Sequence, residues 1–400
     1  MKKFLNHFVV VKGSDRFINF ATISLSLLGL VMVVSASMQA SDNSTRVLII
    51  TTIKQVLYFT ISYGLMFFLS KIFSYKLARH TIMPISLIMI GLLLSTLFFK
   101  ELNGSYAWIR IGSGSAQFTI QPSEFAKVTS IVLIAMYLGD VSYKTPRNGI
   151  EIIKPIFYMI LIQAFIITFL QKDFGSAIVL LMISLFIAFI PSHPRIRKYQ
   201  NILMFVTFLG IFFAGFILSD TGIALIEKTG ILKGYKLARF TAYANPFVDI
   251  QDTGFQLANS LVSFSRGGLF GVGLGQSVQK YGYLPEATTD FILPLIAEEL
   301  GFVGIIVIFS IYIGLIYRLT YHALKVKEEK GKMILMGTAL YLFIHFFLNV
   351  GGVSLAIPLT GVPLLLLSSG GSSSMAIFSA IGICQKIISD NRKMIDNENS

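Results

Sequence analysis

Ten apolar runs limit this chain more than any other feature, because each is close to the twenty or so residues an α-helix needs to cross a bilayer. They fall at about 17 to 37, 48 to 70, 82 to 99, 122 to 139, 152 to 170, 174 to 191, 201 to 219, 291 to 317, 333 to 352 and 371 to 388. In lipid every backbone N–H and C=O must be paired within the segment, so runs of this length read as helices. Composition agrees, with 54% hydrophobic residues, 13% charged and 35 Phe, far from the makeup of a soluble domain. The sequence predicts an all-α polytopic membrane protein of about ten transmembrane helices. It is read as one transmembrane domain over 1 to 390, followed by a polar cytoplasmic tail over 391 to 400. The first run follows Lys2, Lys3, Lys12 and Arg16 and has no small-residue cleavage site behind it, which makes it a span and not a removed signal peptide.

The formal charge of +13 raises nucleic acid as a partner, but the basic residues form neither a face nor a tail. They cluster between apolar runs, alternately dense and sparse. Lys71, Lys76 and Arg79, then Lys144, Arg147 and Lys154, then Arg195, Arg197 and Lys198, then Arg318, Lys325, Lys327, Lys330 and Lys332 fall in the denser set. By the excess of Lys and Arg on the cytoplasmic side, both termini are placed inside. Cys384 is the single cysteine and no histidines show metal-ligand spacing, so no disulfide framework or structural metal site is expected.

The seventh and eighth runs are joined by a large extracellular loop over 220 to 290, far longer than the other connections. Patches at 222 to 232 and 255 to 264 are amphipathic and suggest short interfacial helices. Residues 103 to 121 alternate polar and apolar side chains, as a short hairpin would, and 353 to 370 are apolar but broken by Pro358, Gly361 and Pro363, as a re-entrant segment would be.

Several polar residues sit where lipid would make them costly. Asp290 precedes the eighth run directly, and either a helix cap or a functional carboxylate fits there. Glu298 and Glu299 follow on what reads as the same helix, with Glu298 about 12 Å beyond Asp290. Glu124 and Lys127 are spaced to pair on one helix face, so Lys127 is either half of a structural ion pair or a cation lining a cavity. Asp173, in QKDFGS, is most simply an N-cap. Arg239, Asn245, Gln256, Ser260, Arg266, Lys280 and Glu286 lie in the large loop; its cations and donors are what a diphosphate requires. The glycine-rich run GGLFGVGLG is no phosphate loop, since no Lys-Ser/Thr follows its last glycine, and close backbone contact is the better reading. His345 among aromatic residues reads as a packed histidine more readily than a proton relay.

Taken in order, QPSEFAK at 121, QKDFGSA at 171, RFTAYANPF at 239, GFQLANSLVSFSRGGLFGVGLG at 254, QKYGYLPEATTDFI at 279, AEELG at 297, and NVGG, PLTGVP and SSGGSS between 349 and 373 resemble the SEDS family (FtsW/RodA/SpoVE) of bacterial cell-wall membrane proteins. The wording is closest to the division-type branch. The resemblance implies a peptidoglycan glycosyltransferase that polymerises lipid II at the outer face of the cytoplasmic membrane in septal synthesis. It implies Asp290 as general base, with Glu124, Lys127, Asp173, Arg239, Gln256, Ser260, Lys280 and Glu286 around the substrate. Also implied are a cognate class B penicillin-binding protein, other division proteins, and a divalent cation (Mg or Mn) as an optional cofactor. A lipid-linked precursor flippase and a non-catalytic divisome scaffold are the competing readings. Charge gathered on one side favours chemistry at a surface over a path across the bilayer.

Overall fold

The computed structural model describes residues 10–38, 44–102, 104–112, 117–139, 149–217, 219, 221–222, 243, 245–247 and 254–398. The patch at 223 to 232 and Arg239 lie outside the described residues. The described α-helices are α1 (Arg16–Ala36), α2 (Ser44–Ile72), α3 (Tyr75–Ser95), α4 (Pro122–Leu138), α5 (Gly149–Phe165), α6 (Phe174–Ala188), α7 (Pro194–Ile217), α8 (Phe255–Gly267), α9 (Ile292–Lys325), α10 (Glu329–Val353) and α11 (Gly371–Glu398). Each predicted apolar run is overlaid by a helix. Eight of these are long and apolar enough to cross a membrane. The two others, α4 with 17 residues and α6 with 15, rise only about 26 and 22 Å. The polar opening of α4, QPSEFAK, is largely buried inside the bundle, where protein replaces lipid as the partner of the backbone, whereas in QKDFGS only Gln171, Gly175 and Ser176 are buried.

Helix α4 is the hub. It packs against α3, α5, α6, α10 and α11, and nearly all its side chains are buried. Pro122 opens it at a position where a missing N–H costs nothing, and Glu124 sits in its first turn near the positive end of the dipole. Before it, β1 (Ile109–Ile111) pairs antiparallel with β2 (Phe118–Ile120), the expected hairpin.

Helix α9 is the main departure from expectation. The run GFVGII reads as continuous helix, yet Gly301 adopts φ 68 and ψ −172 and breaks the ladder. The backbone groups that the break frees are taken up by the glycine-rich run: Val272 N donates to Glu298 O (2.9 Å), Gly273 N to Glu299 O (3.1 Å), Phe302 N to Gly268 O (2.9 Å) and Val303 N to Leu269 O (3.1 Å). Such contact admits no side chain: a Cβ on Gly301 would stand 2.2 Å from Gly271 N. The glycines serve close approach, as their sequence suggested. Gly301→Ala is expected to destabilise the fold by about 1–3 kcal/mol, because neither backbone can withdraw without losing these hydrogen bonds. Thermal unfolding in detergent checks this, and an unchanged midpoint would contradict the packing.

The other end of α9 closes a knot. Asp15 caps α1, accepting from Phe17 N (2.9 Å) and Ile18 N (3.1 Å), and its carboxylate also receives Arg318 Nε (2.8 Å) and His322 Nε2 (2.7 Å). Gln385 of α11 exchanges hydrogen bonds with the Asp15 backbone in both directions. Burial alone would push the Asp15 carboxyl up, but His322, the Ile18 amide and the Arg318 guanidinium outweigh it and hold the group at about 2. The folded value lies below the ordinary aspartate value of 3.8, so this stabilisation is complete above about pH 4 and is lost as pH falls towards 2. Asp15→Asn is expected to flatten that acid limb of a thermal-stability profile.

Candidate active site

At 1.5 Å per residue the part of α9 after the Gly301 break, Phe302 to Lys325, alone rises about 36 Å, so the turn that precedes α9 lies at the end of the bundle opposite the Asp15 knot. Residues 276 to 291 form consecutive hydrogen-bonded turns: Leu284 N donates to Gln279 O (3.0 Å), Ala287 N to Leu284 O (3.1 Å), and Thr289 N and Phe291 N both to Glu286 O (3.1 Å each). Asp290 is therefore not on the helix that carries Glu298 and Glu299. The N-cap of α9 is Phe291, which makes no side-chain capping bond. Asp290 stands one residue before it, partly buried, and the expectation of one shared helix gives way to a turn followed by a helix.

Two anchors hold the ends of this stretch. At the near end Lys280 is fully buried; its Nζ lies 2.6 Å from Gly275 O and 3.5 Å from Glu299 Oε1. Ser35 of α1 donates to the same Glu299 oxygen at 2.6 Å. Beside it Glu298, also fully buried, receives Ser277 Oγ (2.5 Å), Val278 N (3.2 Å) and Arg266 Nε (3.2 Å). The ammonium of Lys280, expected to face a diphosphate, is instead committed to an internal ion pair across the loop. At the far end, Asn349 of α10 donates to Asp290 O (2.8 Å), and Ser368 Oγ to Thr289 O (2.8 Å). Glu286 remains in the turn, partly buried, where Thr289 Oγ1 donates to its Oε2 at 2.9 Å.

One helical turn below Asn349 on α10, His345 meets the charges of α4. Lys127 Nζ lies 2.7 Å from Glu124 Oε1 and 3.3 Å from His345 Nε2, while Tyr341 OH donates to Glu124 Oε2 at 2.7 Å. An ammonium can only donate, so His345 Nε2 is the acceptor and Nδ1–H donates to Pro363 O at 3.0 Å. Glu124 and Lys127 are each 1% exposed and His345 is fully buried. The arrangement is a satisfied ionic cluster that ties α4 to α10 and to the irregular segment at 363, so Lys127 is the buried half of a pair. Asp173 caps α6 through Ser176 N (3.0 Å) and accepts from Gln121 Nε2 (2.8 Å). Ser260 is buried and donates to Val353 O, pinning α8 to the end of α10, whereas Gln256 on α8 is partly exposed.

The structure thus draws Asp290, Glu286, Lys127 and Glu124 to one end of the bundle through α10, with Asp173 beside Gln121 at the opening of α4, and sets Lys280 and Ser260 in bonds within the fold. Sequence reasoning passed over Asn349, Ser368 and Tyr341. The polar stripe Tyr341, His345, Asn349, repeating every four residues in an otherwise apolar helix, was the available signal. Among the described residues no group of three or more His, Cys, Asp or Glu is placed to hold a metal ion.

A bundle of apolar helices with a buried ionic cluster and a carboxylate on a doubly anchored turn at one end defines a polytopic membrane protein. The chain belongs to the FtsW/RodA/SpoVE family of cell cycle proteins, whose model matches residues 16–393. It is 33% identical over 382 residues to the "Probable peptidoglycan glycosyltransferase FtsW" of Bacillus subtilis (strain 168), covering 94% of this chain and 91% of that protein. It is also 32% identical over 373 residues to the stage V sporulation protein E of the same organism, covering 92% and 95%. The fold is shared with a chain of a peptidoglycan synthase complex in which polymerization and crosslinking are coordinated (TM-score 0.70, 23% identity, 94% of this chain and 98% of that one). It is shared too with the rod shape determining protein RodA of Thermus thermophilus (TM-score 0.61, 23% identity, 94% and 97%).

Proposed function

We propose that this protein is a peptidoglycan glycosyltransferase that polymerises lipid II at the outer face of the cytoplasmic membrane, in septal wall synthesis. The observation that carries the reading is Asp290, a carboxylate on a turn fixed from both ends at the single bundle end opposite the basic knot. Arg318, Lys325, Lys327, Arg392 and Lys393 gather at the knot end, which supports placing that end in the cytoplasm and Asp290 outside. Relatives named peptidoglycan glycosyltransferase FtsW support both the reaction and the division role.

The chemistry follows from one carboxylate. The 4-hydroxyl of the acceptor sugar attacks the anomeric carbon of the donor while Asp290 takes its proton, worth on the order of 10²–10⁴ in rate. The C–O bond to the lipid diphosphate breaks as the new glycosidic bond forms, so a single displacement inverts the anomeric centre, with no paired nucleophile needed. Negative charge accumulates on the departing diphosphate and calls for cations at that place. Of the three candidate cations Lys127, Arg239 and Lys280, Arg239 is assigned that task, since Lys127 and Lys280 each pair with a carboxylate within the fold. A Mg or Mn ion held mainly by the diphosphate needs only one or two protein carboxylates. Glu286, on the same turn as the base, is the carboxylate that would hold it. Gln256, partly exposed on α8, is assigned to the sugars of the substrate. A cognate class B penicillin-binding protein and other division proteins complete the assembly, the former supported by the synthase complex that shares this fold.

The test is polymerisation of labelled lipid II by the purified chain with its cognate penicillin-binding protein, the transpeptidase of the latter inactivated. Glycan strands are expected. Their absence with a verified, bound partner would overturn the reading.

A further inference from the structure

The turns around Asp290 do not by themselves fix where its carboxylate is presented, because the stretch 286 to 291 is joined by only a few local hydrogen bonds. Three successive carbonyls are held from outside instead. Thr288 O accepts from Ser369 N at 2.8 Å, Thr289 O from Ser368 Oγ at 2.8 Å and Asp290 O from Asn349 Nδ2 at 2.8 Å. The same Asn349 nitrogen donates to Val362 O at 2.9 Å. One NH₂ group therefore joins α10, the Asp290 turn and the irregular segment 354 to 370.

The amide can sit only one way round. Turned over, it would set Oδ1 against two carbonyl oxygens; as placed, that oxygen is buried and has no hydrogen-bond partner. Asn349 is 2% exposed, so its bonds do not compete with bulk water. An amide kept in an apolar helix at the cost of an unsatisfied acceptor is retained for what its donors hold.

We infer that Asn349 is a positioning residue for Asp290, fixing the base against the segment 354 to 370 through the Asp290 and Val362 carbonyls, with Ser368 as a second point of the same clamp. The inference rests on the reading of Asp290 as the general base. A displacement of about 1 Å in a reacting group costs on the order of 10²-fold in rate. Asn349 is 2% exposed and its nitrogen is spent on two backbone carbonyls, so the effect of its loss falls on kcat.

The experiment measures kcat and KM for lipid II polymerisation by the full chain with its partner, in wild type, Asn349→Leu, Asn349→Asp, Ser368→Ala and Asp290→Asn. Asn349→Leu keeps the branching and heavy-atom count and removes both bonds; its kcat is expected to fall roughly 10–100-fold with KM within about twofold. Ser368→Ala, a milder change that also serves if Asn349→Leu fails to fold, is expected to lower kcat about 3–10-fold at unchanged KM. An aspartic acid at 349 donates only when protonated, so the activity of Asn349→Asp relative to wild type is expected to rise as pH falls, which a merely structural role would not produce. If Asp290→Asn is inactive while both Asn349→Leu and Ser368→Ala keep kcat within about twofold, or change KM alone, this inference falls and the base reading stands. If Asp290→Asn polymerises like wild type, the base reading falls and this inference with it.

Discussion

Replacing Asp290 by Asn is expected to abolish polymerisation, by a factor on the order of 10²–10⁴ in rate, with the protein still folded and still bound to its partner. Asn keeps the size and polarity of the side chain but cannot accept the proton of the attacking hydroxyl. The turn itself should survive, because its anchors grip backbone carbonyls of Thr288, Thr289 and Asp290 and not the carboxylate. Asp290→Ala should be equally inactive. Rates of lipid II polymerisation, read beside thermal unfolding of each variant, check this. A variant that polymerises within tenfold of wild type would remove the general base from the account.

Lys127→Met is expected to cost about 3–5 kcal/mol of stability, since it leaves Glu124 as a buried carboxylate with its main counter-charge gone. Glu124 would retain the Tyr341 hydroxyl, and His345 Nε2 would lose its donor. Adding Glu124→Gln should recover part of that loss, because two neutral groups at this place are less costly than one unpaired charge. Unfolding midpoints of the two single variants and the double variant in one detergent measure the coupling. Purely additive losses, or a loss below about 1 kcal/mol for Lys127→Met, would show that the pair is not closed as the structure has it.

The parts of the fold that could be read from sequence are those set by solvent and local geometry. Apolar runs gave the helices, because lipid leaves a chain few other structures. Asp173 was legible as a cap because the bond from Ser176 N is three residues away. Phe255–Gly267 was legible as a helix from its amphipathic pattern. Gly301 was not, since a break in a helix needs partners for the freed backbone groups, and those come from residues 268 to 273 on a distant stretch. The burial of Lys280 was hidden for the same reason: its counter-charge, Glu299, lies beyond the whole Asp290 turn, and a solvated cation and a buried one look alike in sequence. For the site, the position of Asp290 before an apolar run could be seen, and its role came from the family resemblance. Asn349 escaped notice because an amide in an apolar helix acquires meaning only once the carbonyls it holds are known.

The most direct measurement of the central claim uses vesicles containing the protein in one orientation, its partner, and labelled lipid II in a single leaflet. If the protein is a polymerase acting at the Asp290 face, glycan strands form from lipid II supplied in the leaflet facing that end, none form from the opposite leaflet, and the label does not cross. If labelled lipid II moves between leaflets and no polymer forms in the presence of a bound partner, the protein is a transporter and the assignment made here is wrong.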